Sequence, residues 1–361
     1  MKMPTDVIRE EIRLHGVISF ARFMELALYC PETGYYETRQ DNVGRGGDFI
    51  TSVSAGSLFG ELLAFQFAAW LTELRDAVCG LRMVEAGAHD GRLAADILGW
   101  LQIHRPKLFS EMEYWILEPS ANRLAWQQET LKIFAPRVRW FSDFGNLKLK
   151  TQNAKLAGVV FSNELLDAFP VRRLGWNARE KQWFEWGVAS AGEKFVWARW
   201  ENAECGMRNA ELEAVLPDGY TIETSPAAEN WWRAAATVLT RGKLLAIDYG
   251  FTAEEQFSPA RLTGTLRAYH RHHVSNDLLA RPGEQDLTAH VNFSAIQLAG
   301  AAAGLKTETF CTQPQFLTRI LPAAMAEASW VPWNAKQTRQ FQTLTHPEHL
   351  GRAFRVLVQS R

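Results

Sequence analysis

The chain has few cysteines, little net charge and no long apolar run. Its four cysteines lie far apart and include no Cys-x-x-Cys pair, which argues against a disulfide framework and a structural zinc site. A net charge of −1 gives no electrostatic footprint for nucleic acid or an anionic membrane. No apolar run approaches the roughly 20 residues of a transmembrane helix. We therefore expect no nucleic-acid and no membrane partner.

The N-terminus lacks the features of a targeting signal. Asp6, Glu10 and Glu11 are unlike a secretory signal and unlike an acid-poor transit peptide. Together with the unpaired cysteines, they predict a reducing compartment and a cytoplasmic protein.

Tryptophan, in contrast, is abundant, with 14 residues in the 361-residue chain. Such side chains usually fill large cores and hairpins. Some of them can instead line a groove for a partner.

Apolar runs alternate with helical patterns from residue 81 onward. The runs that predict strands lie near residues 81–85, 114–118, 138–142, 157–162, 243–248, 306–311 and 354–359. Alternation of this kind predicts an α/β fold with a seven-stranded, mostly parallel, doubly wound sheet.

Two segments interrupt this alternation. Residues 1–75 are predicted to form N-terminal helices and a glycine-rich covering loop, and residues 76–361 the domain that contains the sheet. Within that domain, residues of about 171–223 predict a Trp-rich β insertion, and residues 250–293 are rich in loops. The insertion can bind a partner or form a dimer contact, so a homodimer is one expectation.

The first motif combines a turn with an acid on the next strand. Glu85 ends an apolar run, Gly87 and Gly91 follow in a turn, and Glu118 closes the next run. Such a turn lets backbone N–H groups approach a ligand, and an acid at the next strand tip accepts hydrogen bonds from ribose hydroxyls. These four residues predict contacts with an adenosine-containing cofactor. His89 stands where the dinucleotide fingerprint has its second glycine, which disfavours a nicotinamide-dependent oxidoreductase.

Two weaker elements could complete the cofactor site. Asp143 ends the third run and can accept a hydrogen bond from an adenine amino group, although an acid there also suits the start of a helix or turn. Gly47, Asp48 and Thr51 lie in a long glycine-rich loop that either closes over the cofactor or forms a plain surface turn.

Polar residues also follow the fourth apolar run. Asn163, Glu164 and Asp167 come after a strand whose C-terminal tip would face the ligand crevice. A carboxylate there can pair with a cationic acceptor, whereas the alternative is a helix cap with surface acids. The polar segment Arg267–His273 has poor metal spacing, because adjacent side chains on an extended chain point to opposite faces. We predict no metal site and expect a polar loop near the substrate.

Several motifs together resemble one family. They are Gly34-Tyr35-Tyr36, Gly47-Asp48-Phe49-Ile50-Thr51-Ser52, Phe59-Gly60-Glu61, the Glu85–Gly91 turn, Asn163-Glu164-Leu165-Leu166-Asp167-Ala168-Phe169-Pro170, Asp248-Tyr249-Gly250, Gly264-Thr265-Leu266, and the run from Pro282 to Val291. In this order they resemble the MidA-type, S-adenosylmethionine-dependent protein arginine methyltransferases, the family of the mitochondrial complex I assembly methyltransferase.

The resemblance implies a class I methyltransferase fold (Rossmann-like), S-adenosylmethionine as cofactor and a protein arginine as methyl acceptor. It places Gly87 and Glu118 at the cofactor, and Asn163, Glu164 and Asp167 at the acceptor. The chain departs from the family at His89, where a glycine is usual, and at Val53-Ser54, where Pro-Glu is favoured. A protein that keeps the fold but transfers no methyl group is therefore the main alternative.

Overall fold

The computed structural model of the chain consists of two units. It describes residues 2–38, 51–75, 80–151, 156–200, 215–258, 261–270, 273–275, 277–328, 330–351 and 354–361. The central-sheet unit contains Gln40–Leu166, Trp231–Gly250 and Ile296–Arg361, and the accessory unit contains Met1–Arg39, Asp167–Asn230 and Phe251–Ala295.

The elements are numbered along the chain. The α-helices are α1 (Pro4–His15), α2 (Phe20–Tyr29), α3 (Tyr35–Thr38), α4 (Leu58–Arg75), α5 (Arg92–His104), α6 (Pro106–Glu111), α7 (Ala121–Thr130), α8 (Phe144–Lys150), α9 (Pro226–Val238), α10 (Ala253–Gln256), α11 (Phe293–Ala302), α12 (Gln313–Met325) and α13 (Ala335–Thr345). Short 3₁₀-helices lie at Val53–Ala55, Lys132–Arg137 and Leu166–Ala168. The strands are β1 (Ile18–Ser19), β2 (Leu81–Ala86), β3 (Met112–Leu117), β4 (Val138–Phe141), β5 (Leu156–Asn163), β6 (Arg172–Asn177), β7 (Gln182–Ala191), β8 (Lys194–Trp200), β9 (Thr221–Thr224), β10 (Leu239–Phe251), β11 (Arg267–His270), β12 (His273–Ser275), β13 (Asp286–Thr288), β14 (Val291–Asn292), β15 (Lys306–Thr312) and β16 (Phe354–Ser360).

Seven of the eight strands of the central sheet run in the order β4-β3-β2-β5-β10-β16-β15, and the two-residue β14 pairs with β10 off this path. From β4 to β10 each neighbour is parallel, and β16 is antiparallel to both of its neighbours. The mostly parallel sheet expected from the sequence is confirmed, with all seven predicted strands present and the short β14 in addition. Strand β5 is buried along its whole length, as is typical of a parallel strand covered on both faces.

Helices begin where the sequence supplies a cap. The Ser120 hydroxyl accepts a hydrogen bond from the N–H of Arg123 at the start of α7, and Ser225 accepts one from Ala228 next to Pro226 at the start of α9. Side-chain oxygens at this position satisfy backbone donors that lack a partner within the helix.

The core of the central-sheet unit lies between the sheet and its helices. Phe67 of α4, Phe161 of β5 and Leu245 of β10 belong to one buried apolar cluster. The rings of Phe67 and Phe161 are 4.9 Å apart. This packing holds α4 in the central-sheet unit.

The accessory unit contains the predicted β insertion. Strands β1, β7, β6 and β9 form an antiparallel sheet, with β8 paired to β7. Phe20 and Phe23 of α2 pack in a buried cluster with Val188 of β7. The N-terminal helices therefore share a core with the insertion, whereas the sequence-based division grouped them with α4 in residues 1–75.

The loop-rich segment 250–293 contains short strands as well as loops. Strand β11 pairs antiparallel with both β12 and β13. Among the helices in the described ranges, none has the length and apolar character that a membrane span requires. Of the cysteines, Cys30 and Cys311 are buried and unpaired.

Candidate functional site

The backbone of the turn after β2 has a left-handed conformation at three positions. Gly87, His89 and Gly91 have φ angles of 75°, 47° and 87°. Glycine adopts such angles at no steric cost, whereas a residue with a Cβ is strained there by about 1 kcal/mol. The Gly91 N–H donates to the Ala88 carbonyl at 2.7 Å, which closes the turn just before α5.

This turn contacts the turn that follows β5. The parallel register pairs Ala86 of β2 with Ser162 of β5. A Cβ added to Gly87 would lie 2.9 Å from Leu165 Cδ1. The first glycine therefore permits a close approach of the two strand tips, and a larger residue would push them apart.

Glu118 is held at the tip of β3 by three donors. It is 3% exposed, and its Oε1 accepts hydrogen bonds from the Ser120 N–H and from Arg123 Nε, both at 2.9 Å. Its Oε2 accepts one from Gln127 Nε2 at 2.9 Å. Because a carboxylate has about four acceptor positions, these donors fix its orientation and leave acceptor capacity for a ligand hydroxyl.

Gln127 joins this acid to the glycine turn. The same Nε2 donates to the His89 carbonyl at 3.0 Å, and Oε1 accepts from Trp140 Nε1 at 3.0 Å. The side chain is fully buried. One amide thus fixes both the predicted ribose-binding acid and the backbone at position 89.

The imidazole of His89 has neighbours of its own. Its Nδ1 lies 3.8 Å from Asp90 Oδ1, and its ring is 6.2 Å from that of Trp126 on α7. The contact from position 89 to Gln127, by contrast, is made by the backbone, so it does not depend on the histidine side chain.

Glu85 is buried within β2 and is hydrogen-bonded to a neighbouring strand. Tyr114 on β3 donates its hydroxyl to Glu85 Oε2 at 2.6 Å. Burial raises the pKa of Glu85 to about 7, and the tyrosine hydrogen bond opposes this shift. The hydrogen bond therefore joins β2 to β3 just before the glycine turn.

Glu164 stands at a strained position after β5. Its φ angle is 51°, and its Oε1 accepts hydrogen bonds from the Ser52 N–H and from Asn163 Nδ2, both at 3.1 Å. Burial raises the pKa of Glu164 to about 8, and the nearby Asp248 contributes to the rise. Such strain persists where the surrounding structure enforces it, often at functional sites.

Asp248, near the end of β10, stabilises the turn after β5 in which Glu164 lies. It is fully buried, and its Oδ2 accepts from the N–H groups of Leu165 and Leu166 at 3.1 and 2.7 Å. Its Oδ1 accepts from the Tyr249 N–H at 2.8 Å. The backbone that presents Glu164 is therefore anchored from the adjacent strand.

The N-terminal covering loop is only partly described. Gly47 and Asp48 lie outside the described residues, whereas Thr51 is buried and its Oγ1 accepts from the Ser54 N–H. The next residue, Ser52, reaches Glu164 through its N–H and donates its hydroxyl to Gln313 at 3.0 Å. The end of the loop thus lies at the tip of β5.

Two further predicted site residues have other contacts in the structure. Asp143 is the N-cap of α8, where hydrogen bonding from the Asn146 N–H lowers its pKa. Asp167 belongs to the accessory unit, where it is buried and its backbone carbonyl accepts from the Ala289 N–H at 3.0 Å. A role for either residue stays a prediction.

The histidine-containing segment is described only in part. Within the described ranges, no group of three His, Cys, Asp or Glu side chains is placed to hold a metal ion. His290 stacks on Phe251 with ring centres 4.6 Å apart, and burial lowers the pKa of His290 to about 4. Arg271 and His272 of the polar segment lie outside the described residues.

Comparison with known proteins decides the family. Residues 62–311 match the family described as "Putative S-adenosyl-L-methionine-dependent methyltransferase". The chain belongs to this family. S-adenosylmethionine is therefore the cofactor of this methyltransferase, and a nicotinamide-dependent oxidoreductase is no longer an alternative.

Curated relatives and a solved structure agree with this assignment. The methyltransferase is 29% identical to the Drosophila melanogaster protein arginine methyltransferase NDUFAF7 homolog, over 97% of this chain and 83% of that protein. It is 30% identical to the NDUFAF7 of Mus musculus, over 80% and 67%. A Burkholderia thailandensis crystal structure bound to S-adenosyl-homocysteine is 35% identical, with a TM-score of 0.82 and coverage of 99% and 92%.

The relatives correct one prediction. Both are named as mitochondrial proteins, so the prediction of a cytoplasmic protein is wrong. The N-terminal acids and the unpaired cysteines describe charge and redox chemistry, and neither property determines a compartment.

The residues of the methyltransferase fit its cofactor. Gly87 and Gly91 have no side chain, so a ligand can approach the backbone of the turn closely. Glu118 is held in a fixed orientation at the adjacent strand tip. At the end of β5, Ser162 Oγ and Asn163 Oδ1 are buried without a hydrogen-bond partner in the described part of the chain. Such atoms are costly unless a ligand or water satisfies them.

Sequence reasoning left three residues of this site unassigned. Gln127 lies nine positions after Glu118 and four after Arg123, and this helical spacing places both donors on one face of α7. In the sequence, Asp248 and Ser52 stand out only as members of two family motifs. The contacts of these two residues join distant parts of the chain, so no local pattern identifies their roles.

Proposed function

We propose that this methyltransferase transfers a methyl group to an arginine side chain of a protein. The names of the relatives, protein arginine methyltransferase NDUFAF7, support this acceptor. When bound, S-adenosylmethionine supplies a methyl group on a positively charged sulfur, which is activated for transfer. Catalysis then depends mainly on positioning the acceptor and excluding water.

The observation that carries the proposal is the environment of Glu164. Glu164 is half-buried, and within the described ranges its hydrogen-bond donors are an N–H and an amide, with no cation. Its partial burial raises the pKa of the carboxyl group to about 8, and a carboxylate in such a setting without a positive partner favours binding of a cationic group. A guanidinium meets this need, and pairing concentrates its charge away from the nitrogen that is to be methylated.

The remaining site residues take complementary roles. Gly87, Gly91 and Glu118 hold the nucleoside part of the cofactor, and Asn163 directs its unpartnered carbonyl oxygen toward a bound group. Glu85 supports the turn from below. Contacts by Gly47, Asp48, Thr51 and Asp143 with the cofactor, and by Asp167 with the acceptor, are part of the same proposal.

The acceptor is identified by the labelled product. The protein is incubated with S-adenosylmethionine carrying a labelled methyl group and a lysate of the organism that carries this chain, and hydrolysed proteins are separated by amino-acid analysis. We expect the label in methylated arginine. Label confined to lysine, or label no greater than with heat-inactivated enzyme, would contradict the proposal.

Glu164→Gln tests the role of the carboxylate. The variant retains the shape of the side chain but cannot ionise, so we expect unchanged cofactor affinity by calorimetry and at least about a hundredfold slower transfer. Undiminished transfer with cofactor bound would rule out this role. A homodimer is a separate prediction, which sedimentation of the protein at micromolar concentration checks.

A further inference from the structure

A groove on the central-sheet unit has no role in the site described above. It has a volume of about 490 Å³ and lies between α4, α5 and the segment that follows α12. Its aromatic walls are Phe65, Trp100, Trp330 and Trp333, all half-buried. Ile103 and Val331 at its rim are 74% and 75% exposed. Exposed apolar surface of this kind is typical of interaction sites.

Acidic side chains lie among these aromatic residues. Glu61 of α4 and Asp96 of α5 both line the groove. Glu61 accepts a hydrogen bond from the Ser57 hydroxyl at 2.8 Å. Arg92, whose charge acts on Asp96, is itself 2.9 Å from Asp90. Burial is the main reason that the pKa of Asp96 rises to about 6, and the charge of Glu61 is the second. A positive charge bound between the two acids would reduce the repulsion between them.

The Phe59-Gly60-Glu61 motif builds this part of the groove. Phe59 is fully buried in the core, and a Cβ at Gly60 would lie 2.5 Å from Asp96 Cβ. The glycine therefore brings α4 and α5 close together and sets Glu61 beside Asp96.

The walls of the groove already accept one guanidinium. Arg105 lies 5.3 Å from the ring centre of Trp100 and 6.0 Å from that of Phe65, and it forms an ion pair with Glu327. An aromatic face combined with a carboxylate is a favourable site for a cation. Glu61 and Asp96 repeat this combination in the same groove.

We propose that this groove binds a basic, partly apolar segment of a protein partner, with a cationic side chain against Glu61 and Asp96 and apolar side chains against the tryptophans. A protein segment fits better than a small cation, because the exposed Ile103 and Val331 extend the apolar surface beyond the acids. The inference is independent of which residue accepts the methyl group.

Peptide selection tests the groove. Phage-displayed random 12-residue peptides are selected on the full-length protein and counter-selected on the Glu61→Gln/Asp96→Asn variant, in the absence of S-adenosylmethionine. We expect enriched peptides to carry Arg or Lys next to apolar residues and to shift the indole NMR signals of Trp100, Trp330 and Trp333. Each signal is assigned with the matching Trp→Phe variant.

Affinity measurements provide the control. We expect the double variant to bind a selected peptide at least about fivefold more weakly, and Glu73→Gln, an exposed change on the same helix, to bind it like the wild type. If the double variant does not fold, Glu61→Gln alone is used. Failure to enrich basic peptides, equal binding by the charge variants, or equally tight binding of tetramethylammonium would overturn the inference. None of these readouts depends on methyl transfer.

Discussion

Gln127 donates hydrogen bonds to Glu118 Oε2 and to the His89 carbonyl through the same nitrogen. It therefore couples the strand-tip acid to the backbone of the glycine turn. Residues that orient a ligand-binding group are often nearly as important as that group itself.

Gln127→Leu removes these two hydrogen bonds and the one that Gln127 accepts from Trp140, and it replaces the amide with an apolar side chain of similar size. We expect cofactor affinity to fall about tenfold and the free energy of unfolding to fall by about 1–3 kcal/mol, because buried polar groups lose their partners. Calorimetry with S-adenosylmethionine and urea unfolding measure the two effects. Gln128→Leu, at the exposed neighbouring position, is the matched control. Unchanged affinity for the Gln127 variant would show that it does not position Glu118.

His89→Gly tests the departure from the glycine-rich turn. Glycine adopts the φ angle of 47° freely, and the carbonyl that accepts from Gln127 is retained. We therefore expect cofactor affinity within about threefold of the wild type by calorimetry. A loss of tenfold or more would indicate that the imidazole itself takes part in binding.

Glu164 makes stability depend on pH. Its pKa is raised to about 8 in the folded protein from an ordinary value of 4.5, so the folded state binds the proton more tightly than the unfolded state. Its contribution to stability is complete below about pH 4.5 and is lost as the pH rises through 8. Urea unfolding from pH 5 to 8.5 should show a smaller decline for Glu164→Gln than for the wild type. Glu73→Gln should follow the wild type, and a parallel decline in the Glu164 variant would contradict this prediction.

Asp248→Asn removes an acceptor from the turn that presents Glu164. One carboxylate oxygen becomes an NH₂ group, which cannot accept from the backbone donors of the turn. We expect a loss of about 1–3 kcal/mol in the free energy of unfolding, measured by urea denaturation, together with slower methyl transfer. Asp218→Asn is the control, since Asp218 accepts a backbone N–H at an exposed position. An equal effect of the two changes would argue against a special role of Asp248.

The parts of the fold that depend on local pattern could be predicted. Seven of the eight central strands lie close to the predicted runs. Strand β5, which is buried along its whole length, shows the apolar run that is typical of a buried parallel strand. The start of α7 is likewise explained by local chemistry, because the Ser120 hydroxyl suits the N-cap position. The grouping of α1 and α2 with the β insertion could not be predicted, since an amphipathic helix shows that it has a buried face but not which core covers it.

Only part of the candidate site could be predicted, because local sequence patterns do not show which distant residues come into contact. Glu118 and Glu164 were identified because strand tips of a doubly wound sheet converge on one edge. The hydrogen bonds of Gln127 and Asp248 join residues from separate elements, so only the folded chain reveals them. Asp143 illustrates the opposite case, since an acid after a strand also suits a helix cap.

Each unit is built from three separate segments of the chain, and this arrangement affects folding during synthesis. Strand β1 pairs with β7 through Ile18 and Val188, so the N-terminal helices cannot complete their packing until the ribosome has synthesised about half of the chain. Contacts of such sequence separation form slowly, and the N-terminal segment carries the apolar side chains of Phe20 and Phe23. These apolar side chains therefore stay without their final partners during synthesis of the first half of the chain. Because each unit is built from separate segments, a fragment that ends before Val188 lacks part of both units.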